Sequence, residues 1–248
     1  MSKQAATLIT GANGGIGKAL CLSFMEADYF VIATDIGKQK CKCDAYLELN
    51  LADLFNCTNQ QQDFYEKVTQ LLNHIDLKGL INNAAIQKLG NIEQISTQEF
   101  IETLNINVTA PLILSQLFLK QLEKSKGTII NIGSIHAKLT KPRFVSYATS
   151  KAALLGLTQA MAVDLGSKKI RVNIIQPAAT ATEMLIAGFE GKKDSLKELE
   201  QYHPIGRIAE PKEIAELAVF LVSDKAKFIS GSAIGIDGGI GGRLYDPE

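Results

Sequence analysis

The sequence predicts a doubly wound α/β fold built on a parallel sheet, in one domain. Short apolar runs alternate with longer segments of helical period. The runs are apolar at successive positions, as strands covered by helices on both faces must be. A glycine-rich turn joins the first run to the first helix, the join at which open α/β sheets gather ligands.

Taken in order, Ala5 to Thr10 reads as a buried strand and Gly15 to Ala27 as a helix with Ile16, Leu20 and Phe24 on one face. Tyr29 to Thr34 is the second strand and Ala45 to Leu49 the third, followed by a helix from Thr58 to Asn73. Gly79 to Ile81 is a strand, and a long helical stretch runs from about Thr97 to Glu123. Strand Thr128 to Ile132, helix Ser146 to Leu165, strand Arg171 to Ile175, helix Pro211 to Val222 and strand Ser232 to Ile236 complete the alternation. The segment from about Ala178 to Pro204 is rich in small and charged residues and interrupts it, which makes it a candidate lid over a substrate site. Internal repeats and long Pro/Gly/Ser linkers are absent from the sequence, so all 248 residues are assigned to one domain.

Hydrophobic residues make up 46% and charged residues 21%, enough apolar material for a full core. Lys+Arg and Asp+Glu both number 26, so no net field selects nucleic acid, a membrane surface or a polyacidic partner. Cys21, Cys41, Cys43 and Cys57 lie early in the chain without zinc-site spacing and read as free thiols rather than metal ligands. With no signal-peptide pattern and no apolar run near the ~20 residues of a membrane span, the expected location is a reducing cytoplasm.

The turn after the first strand reads Thr10-Gly11-Ala12-Asn13-Gly14-Gly15-Ile16-Gly17. Glycines there let backbone approach a pyrophosphate, whose charge meets the free N–H groups and positive dipole of the helix N-terminus. Ala12 and Ala19 stand where a nucleotide-triphosphate loop needs Gly and Ser or Thr, which disfavours that alternative. Asp35 follows the second strand 18 residues beyond Gly17, close to where a dinucleotide fold places its ribose-binding acid. A carboxylate would repel a 2′-phosphate and so favours NAD over NADP, with Lys38 and Lys40 near enough to soften the preference. A solvated loop acid is the plainer alternative for Asp35.

Tyr147 and Lys151 are four apart in a predicted helix and share one face. A tyrosine is a poor base at neutral pH, and an adjacent ammonium would favour its phenolate. Such pairs also arise on ordinary amphipathic helices. Ser134 ends the preceding strand, where its hydroxyl could hold a reacting oxygen or simply cap a turn.

Taken together the chain resembles the short-chain dehydrogenase/reductase family across nearly its whole length. The matching motifs are Thr10-Gly11 to Gly15-Ile16-Gly17; Asn82-Asn83-Ala84-Ala85; Asn107 within Asn105-Ile106-Asn107-Val108; Ser134; Tyr147-x3-Lys151; Pro177 with Thr182; and Ile236-Asp237-Gly238-Gly239. The resemblance implies a seven-stranded sheet, a homotetramer with the helices near 97–123 and 146–165 at an interface, and NAD-dependent hydride exchange between a ketone and a secondary alcohol. By resemblance Tyr147 is the general acid/base, Ser134 orients the substrate oxygen, Lys151 binds the nicotinamide ribose and depresses the Tyr147 pKa, and Asn107 holds a relay water. Gly11, Asn13, Gly15, Ile16 and Gly17 would line the pyrophosphate; Asp35, Asn50, Leu51, Asn83, Ala84 and Ala85 the adenosine; Pro177, Thr180 and Thr182 the nicotinamide side. Asn50 stands for the usual Asp, and Ala85 and Ala178 for usual glycines, substitutions that would add strain if those positions need positive φ.

Gln87 and His136 fall where the substrate pocket should be, and their combination resembles the 3-hydroxybutyrate dehydrogenases, in which similarly placed residues hold a carboxylate. Lys138, Lys141 and Arg143 could add positive charge, while an ordinary pocket rim is the plainer reading. A non-catalytic NAD-binding redox sensor would be expected to lack Tyr147 or Lys151. A carbonyl-activating dehydratase or epimerase would need a larger C-terminal domain after Lys151.

Overall fold

The computed structural model describes residues 3–55 and 58–244; Cys57, expected to be a free thiol, lies outside them. Seven strands form one sheet in the order β3-β2-β1-β4-β5-β6-β7, parallel at every pairing. They are β1 (Ala5–Thr10), β2 (Phe30–Asp35), β3 (Ala45–Glu48), β4 (Asp76–Asn82), β5 (Thr128–Ile132), β6 (Arg171–Pro177) and β7 (Ala233–Ile236). Helices α1 (Gly15–Glu26), α2 (Thr58–Leu72), α3 (Thr97–Leu104), α4 (Ala110–Leu117), α5 (Leu119–Ser125), α6 (Val145–Asp164), α7 (Glu183–Gly188), α8 (Lys193–Tyr202) and α9 (Pro211–Val222) connect them.

Period-two alternation divides the core between the two faces of the sheet. Leu8, Ile32 and Leu80 pack with Phe64, Leu114 and Phe118 on one face. Their neighbours Ile9, Val31 and Ile81 pack with Leu20, Phe24, Ile214 and Leu221 on the other. Every residue of β5 is buried, which is why isoleucines flank Asn131 on both sides.

The strand order reverses between β1 and β4, leaving a crevice at their carboxyl ends where such folds bind ligands. Thr10 and Asn83 fasten that edge. The Thr10 hydroxyl accepts from the backbone N–H groups of Asn83 and Ala84, both at 3.1 Å, and Asn83 Nδ2 donates to the carbonyls of Thr10 at 3.0 Å and Gly11 at 2.9 Å.

Two expected elements differ in form. The helix read as continuous from 97 to 123 is broken by a wide π turn over Asn105–Thr109 and again at Phe118, whose φ of −101° and ψ of 14° leave the helical region. The 178–204 segment contains the short helices α7 and α8. No residue of either is buried, so neither packs its apolar side chains into the core.

Candidate active site

The glycine turn is built by contact as much as by conformation. Gly11 has φ +64°, and a methyl on it would lie 2.6 Å from the Ala84 backbone. One on Gly17 would lie 2.1 Å from the Gly11 carbonyl oxygen, so the start of α1 folds directly onto the turn. One on Gly15 would meet the Thr182 side chain at 2.8 Å, which places the segment after β6 against the turn. Thr182 accepts from Leu185 N–H at 3.2 Å as the cap of α7, while Glu183 pairs with Lys18 of α1 at 2.8 Å. Thr180 is buried beside it, its hydroxyl donating to the Ala178 carbonyl at 3.2 Å.

Helix α1 is capped at Gly14 with no side-chain hydrogen bond and has no acid in its first turn. Its leading N–H groups therefore face the crevice without an anionic partner, the arrangement a bound pyrophosphate satisfies. A dinucleotide fits this chain on that ground, with Gly14, Gly15 and Ile16 presenting backbone to it.

Asn13 is oriented otherwise than expected. Its side chain donates to the Lys38 carbonyl at 3.2 Å and Tyr46 Oη at 3.0 Å and accepts from Lys40 N–H at 2.7 Å, tying the turn to the loop after β2. Asp35 is held by two backbone donors, Asn13 N–H at 2.8 Å and Ile36 N–H at 2.7 Å. It is thereby fixed at the end of β2 as an oriented carboxylate. Asn50 caps a short 3₁₀ turn by accepting from Ala52 N–H at 3.1 Å, and Leu51 is buried behind it. Ala85 and Ala178 are absent from the described residues with positive φ, so the strain expected of alanine at these positions does not arise.

Ser134 follows β5 and is buried; its Oγ accepts from His136 N–H at 3.2 Å. Tyr147 and Lys151 project from one face of α6, with Lys151 Nζ 5.5 Å from the Tyr147 ring centroid. The ammonium donates to the Ile132 carbonyl at 2.8 Å and is 2% exposed. Burial pushes the lysine down to about 8 and the Tyr147 phenol upward, against a downward pull from its hydrogen bond with Ser134. The expected depression of the phenol by Lys151 is therefore not what this site shows: desolvation of a buried phenol dominates, and the lysine is turned toward a backbone carbonyl.

Asn107 lies in the π turn, a frequent functional position in helices. Its Oδ1 accepts from Ile86 N–H at 2.8 Å, and its Nδ2 donates to the Ile86 carbonyl and the Ser150 hydroxyl, both at 2.9 Å. Ser150 donates in turn to the Tyr147 carbonyl at 2.7 Å. The side chain of Asn107 thus braces the loop after β4 against the first turn of α6.

Beneath these groups Asn131 accepts from Asn82 and donates to Thr158, both at 2.8 Å. Sequence reasoning missed this ladder, and also Phe144, whose ring stacks on His136 at 4.4 Å and meets Tyr147 edge-on at 6.0 Å. An aromatic three residues before Tyr147 was the available signal. Lys141 Nζ lies 4.9 Å from the Phe144 ring centroid. Burial and the Lys141 charge push His136 down to about 4, so it faces the site as a neutral imidazole, with Nδ1 3.2 Å from the Thr140 hydroxyl. Gln87 is exposed on the loop after β4, and Gly90 N–H, further along that loop, donates to the Arg143 carbonyl at 3.0 Å.

Comparison with known proteins agrees with this arrangement. The family model described as enoyl-(acyl carrier protein) reductase matches residues 11–241. The chain belongs to the short-chain dehydrogenase/reductase family. The 3-oxoacyl-[acyl-carrier-protein] reductase FabG of Thermotoga maritima is 32% identical, over 94% of this chain and 96% of its own. The solved structure of ElxO with NADP bound superposes with a TM-score of 0.86 at 26% identity, covering 97% of this chain and 100% of its own. The 3-ketoacyl-(acyl-carrier-protein) reductase of Brucella melitensis complexed with NADH does so with a TM-score of 0.83 at 25% identity, covering 96% and 98%. The protein is an oxidoreductase of this family, whose fold here is the seven-stranded parallel sheet flanked by helices. None of its described helices is long and apolar enough to cross a membrane.

Proposed function

We propose that this oxidoreductase prefers NAD and interconverts a secondary alcohol and its ketone, with a small hydroxy or keto acid as the substrate class. The observation that carries the reading is the convergence of Ser134, Tyr147 and Lys151 at the carboxyl end of β5 and the start of α6. A bound nicotinamide supplies the hydride acceptor or donor. Tyr147 passes the proton to or from the substrate oxygen, and Ser134 donates a hydrogen bond to that oxygen as charge develops on it. Lys151, buried on the same face of α6 as the phenol, provides a donor for a ribose hydroxyl.

NAD preference is supported by the oriented Asp35 carboxylate, which would repel a 2′-phosphate; its solved relatives carry either cofactor. A lid role for 178–204 is supported by the seat of Thr182 against Gly15 and by the Lys18–Glu183 pair. Homotetramer assembly is supported by exposed apolar residues on α6 and α3, Val163 at 85% and Ile101 at 45%. The wild-type protein should be screened with NAD and NADP against hydroxy acids, sugars, polyols and secondary alcohols by NAD(P)H absorbance. Turnover of a hydroxy acid with NAD, lost in Tyr147→Phe, is the expected result; turnover that survives that substitution would overturn the assignment.

A further inference from the structure

Gln176 is the residue of β6 before Pro177, at the carboxyl end of the sheet, and is 5% exposed. Among the described residues its buried Nε2 has no hydrogen-bond partner. Glycines on both sides explain this. Gly235 is its register partner in β7, and Gly133, whose N–H donates to the Ile175 carbonyl at 2.7 Å, continues the β5 register beside it. Neither offers a side chain that could accept from the amide. A buried N–H left unpaired destabilises the fold, so such a group at the ligand-binding end of an open α/β sheet points to an acceptor on a ligand.

The alternation of β6 fixes which side of the crevice the amide serves. Val172 packs with Met161 of α6 on one face, and Ile175 packs with Ile214 and Leu221 of α9 on the other. Gln176, in phase with Val172, faces α6, the helix that carries Tyr147 and Lys151. Lys151 reaches from α6 to the Ile132 carbonyl at 2.8 Å, one residue before Gly133. Pro177 takes the opposite phase, with its partner Ile236 packed among the α1 and α9 residues.

We propose that Gln176 is a specificity-determining residue whose amide N–H donates to an acceptor oxygen close to the substrate's reacting carbon, the carboxylate oxygen of a small hydroxy or keto acid. This deepens the substrate class of the reading above and rests on it. The amide is neutral, so it orients the carboxylate without bringing a counter-charge, and it complements Ser134 and Tyr147, which hold the reacting oxygen in that reading. A substrate with a methyl group in that place leaves the N–H unpaired, and sites built on a buried donor discriminate against such analogues far more than apolar pockets do. The phase of β6 assigns the oxygen to the substrate: the amide lies on the side of the proton-transferring phenol, while Pro177, on the nicotinamide side by resemblance, faces away from it.

The test compares wild type with Gln176→Leu, which keeps most of the volume and removes the donor. Both are assayed using NAD with 3-hydroxybutyrate and with 2-butanol, in which a methyl group replaces the carboxylate. The ratio of kcat/KM for the acid to that for the alcohol should fall roughly 10-fold, the loss residing in KM, with little change in NADH Kd by fluorescence. Tm should hold or rise, because the unpaired donor is gone. Gln176→Glu, which sets a carboxylate against the substrate's, should lower the ratio further. An unchanged ratio, a fall shared by both substrates, a loss confined to NADH binding, or wild-type turnover of the alcohol alone would overturn the proposal. If wild type oxidises neither compound, the hydride-transfer reading fails for this pair, and the amide is decided by the Tm shift that 3-hydroxybutyrate gives wild type but not Gln176→Leu; equal shifts, or none, would overturn it.

Discussion

Lys151 donates to the Ile132 carbonyl at 2.8 Å while lying 5.5 Å from the Tyr147 ring centroid, so one buried ammonium is shared between the end of β5 and the phenol. Its value of about 8 lies below the ~10.4 of an unfolded lysine. Between those values the unfolded chain binds the extra proton, so this group's contribution to stability rises as pH rises through that window. The raised Tyr147 phenol acts only above about pH 10, outside it. Wild type should therefore gain on Lys151→Met between about pH 8 and 10, by up to about 3 kcal/mol in urea unfolding. A pH-independent difference between the two proteins would remove the buried-ammonium account.

Gly17 and Gly14 give a paired test of the turn. Alanine at Gly17 drives a methyl to 2.1 Å from the Gly11 carbonyl oxygen, whereas at Gly14 the nearest atom is 3.5 Å away. Gly17→Ala should lose about 1–3 kcal/mol through overpacking. Gly14→Ala, at an N-cap, should lose less than about 1 kcal/mol. Thermal unfolding of both variants checks the ranking, and equal losses would mean the turn is not packed as described.

Asp35 ends β2 with both oxygens anchored on backbone N–H groups, which in the proposed reading orients it toward the adenosine ribose. Hydrogen bonds to a charged group contribute about 1.5–3 kcal/mol, roughly 10- to 100-fold in affinity. Asp35→Ser should weaken NADH binding by about that factor and weaken NADPH binding less, because a repulsive charge goes with it. Titration of both nucleotides measures the ratio; a ratio unchanged from wild type would place cofactor choice elsewhere.

The central strands were legible because they are buried on both sides, so their apolar runs carry their own evidence, and β1 has the expected bounds of Ala5–Thr10. The break in the helix near 105–109 was not, because a π turn leaves composition and polarity unchanged and only shifts the face. In the site, the spacing of Tyr147 and Lys151 was readable, but not the direction of their pKa shifts, which depends on how much water the surrounding fold removes. The Asn82–Asn131–Thr158 ladder was hidden for a similar reason: a polar residue in an apolar run shows its partners only once the elements are packed.

His136 decides how an acidic substrate would be held. Pushed down to about 4 by burial and by Lys141, it would meet an acidic substrate as a neutral imidazole able to offer a hydrogen bond and not a charge. Of the cations Lys138, Lys141 and Arg143, Lys141 lies over the Phe144 ring that stacks on His136, which makes it the cationic anchor to test. Three expectations follow for steady-state kinetics with a small hydroxy acid. The KM should show no inflection between about pH 5.5 and 7.5, where an unperturbed imidazole titrates. Lys141→Met should raise KM for the acid by roughly 10-fold, the worth of about 1.4 kcal/mol, and leave a neutral alcohol almost unchanged. His136→Ala should raise KM for the acid more than for the neutral alcohol, since it removes both the imidazole donor and the ring that positions Phe144. If His136→Ala affects both substrates equally, the imidazole serves only to pack Phe144 against Tyr147, and acid recognition must be sought on another wall of the site.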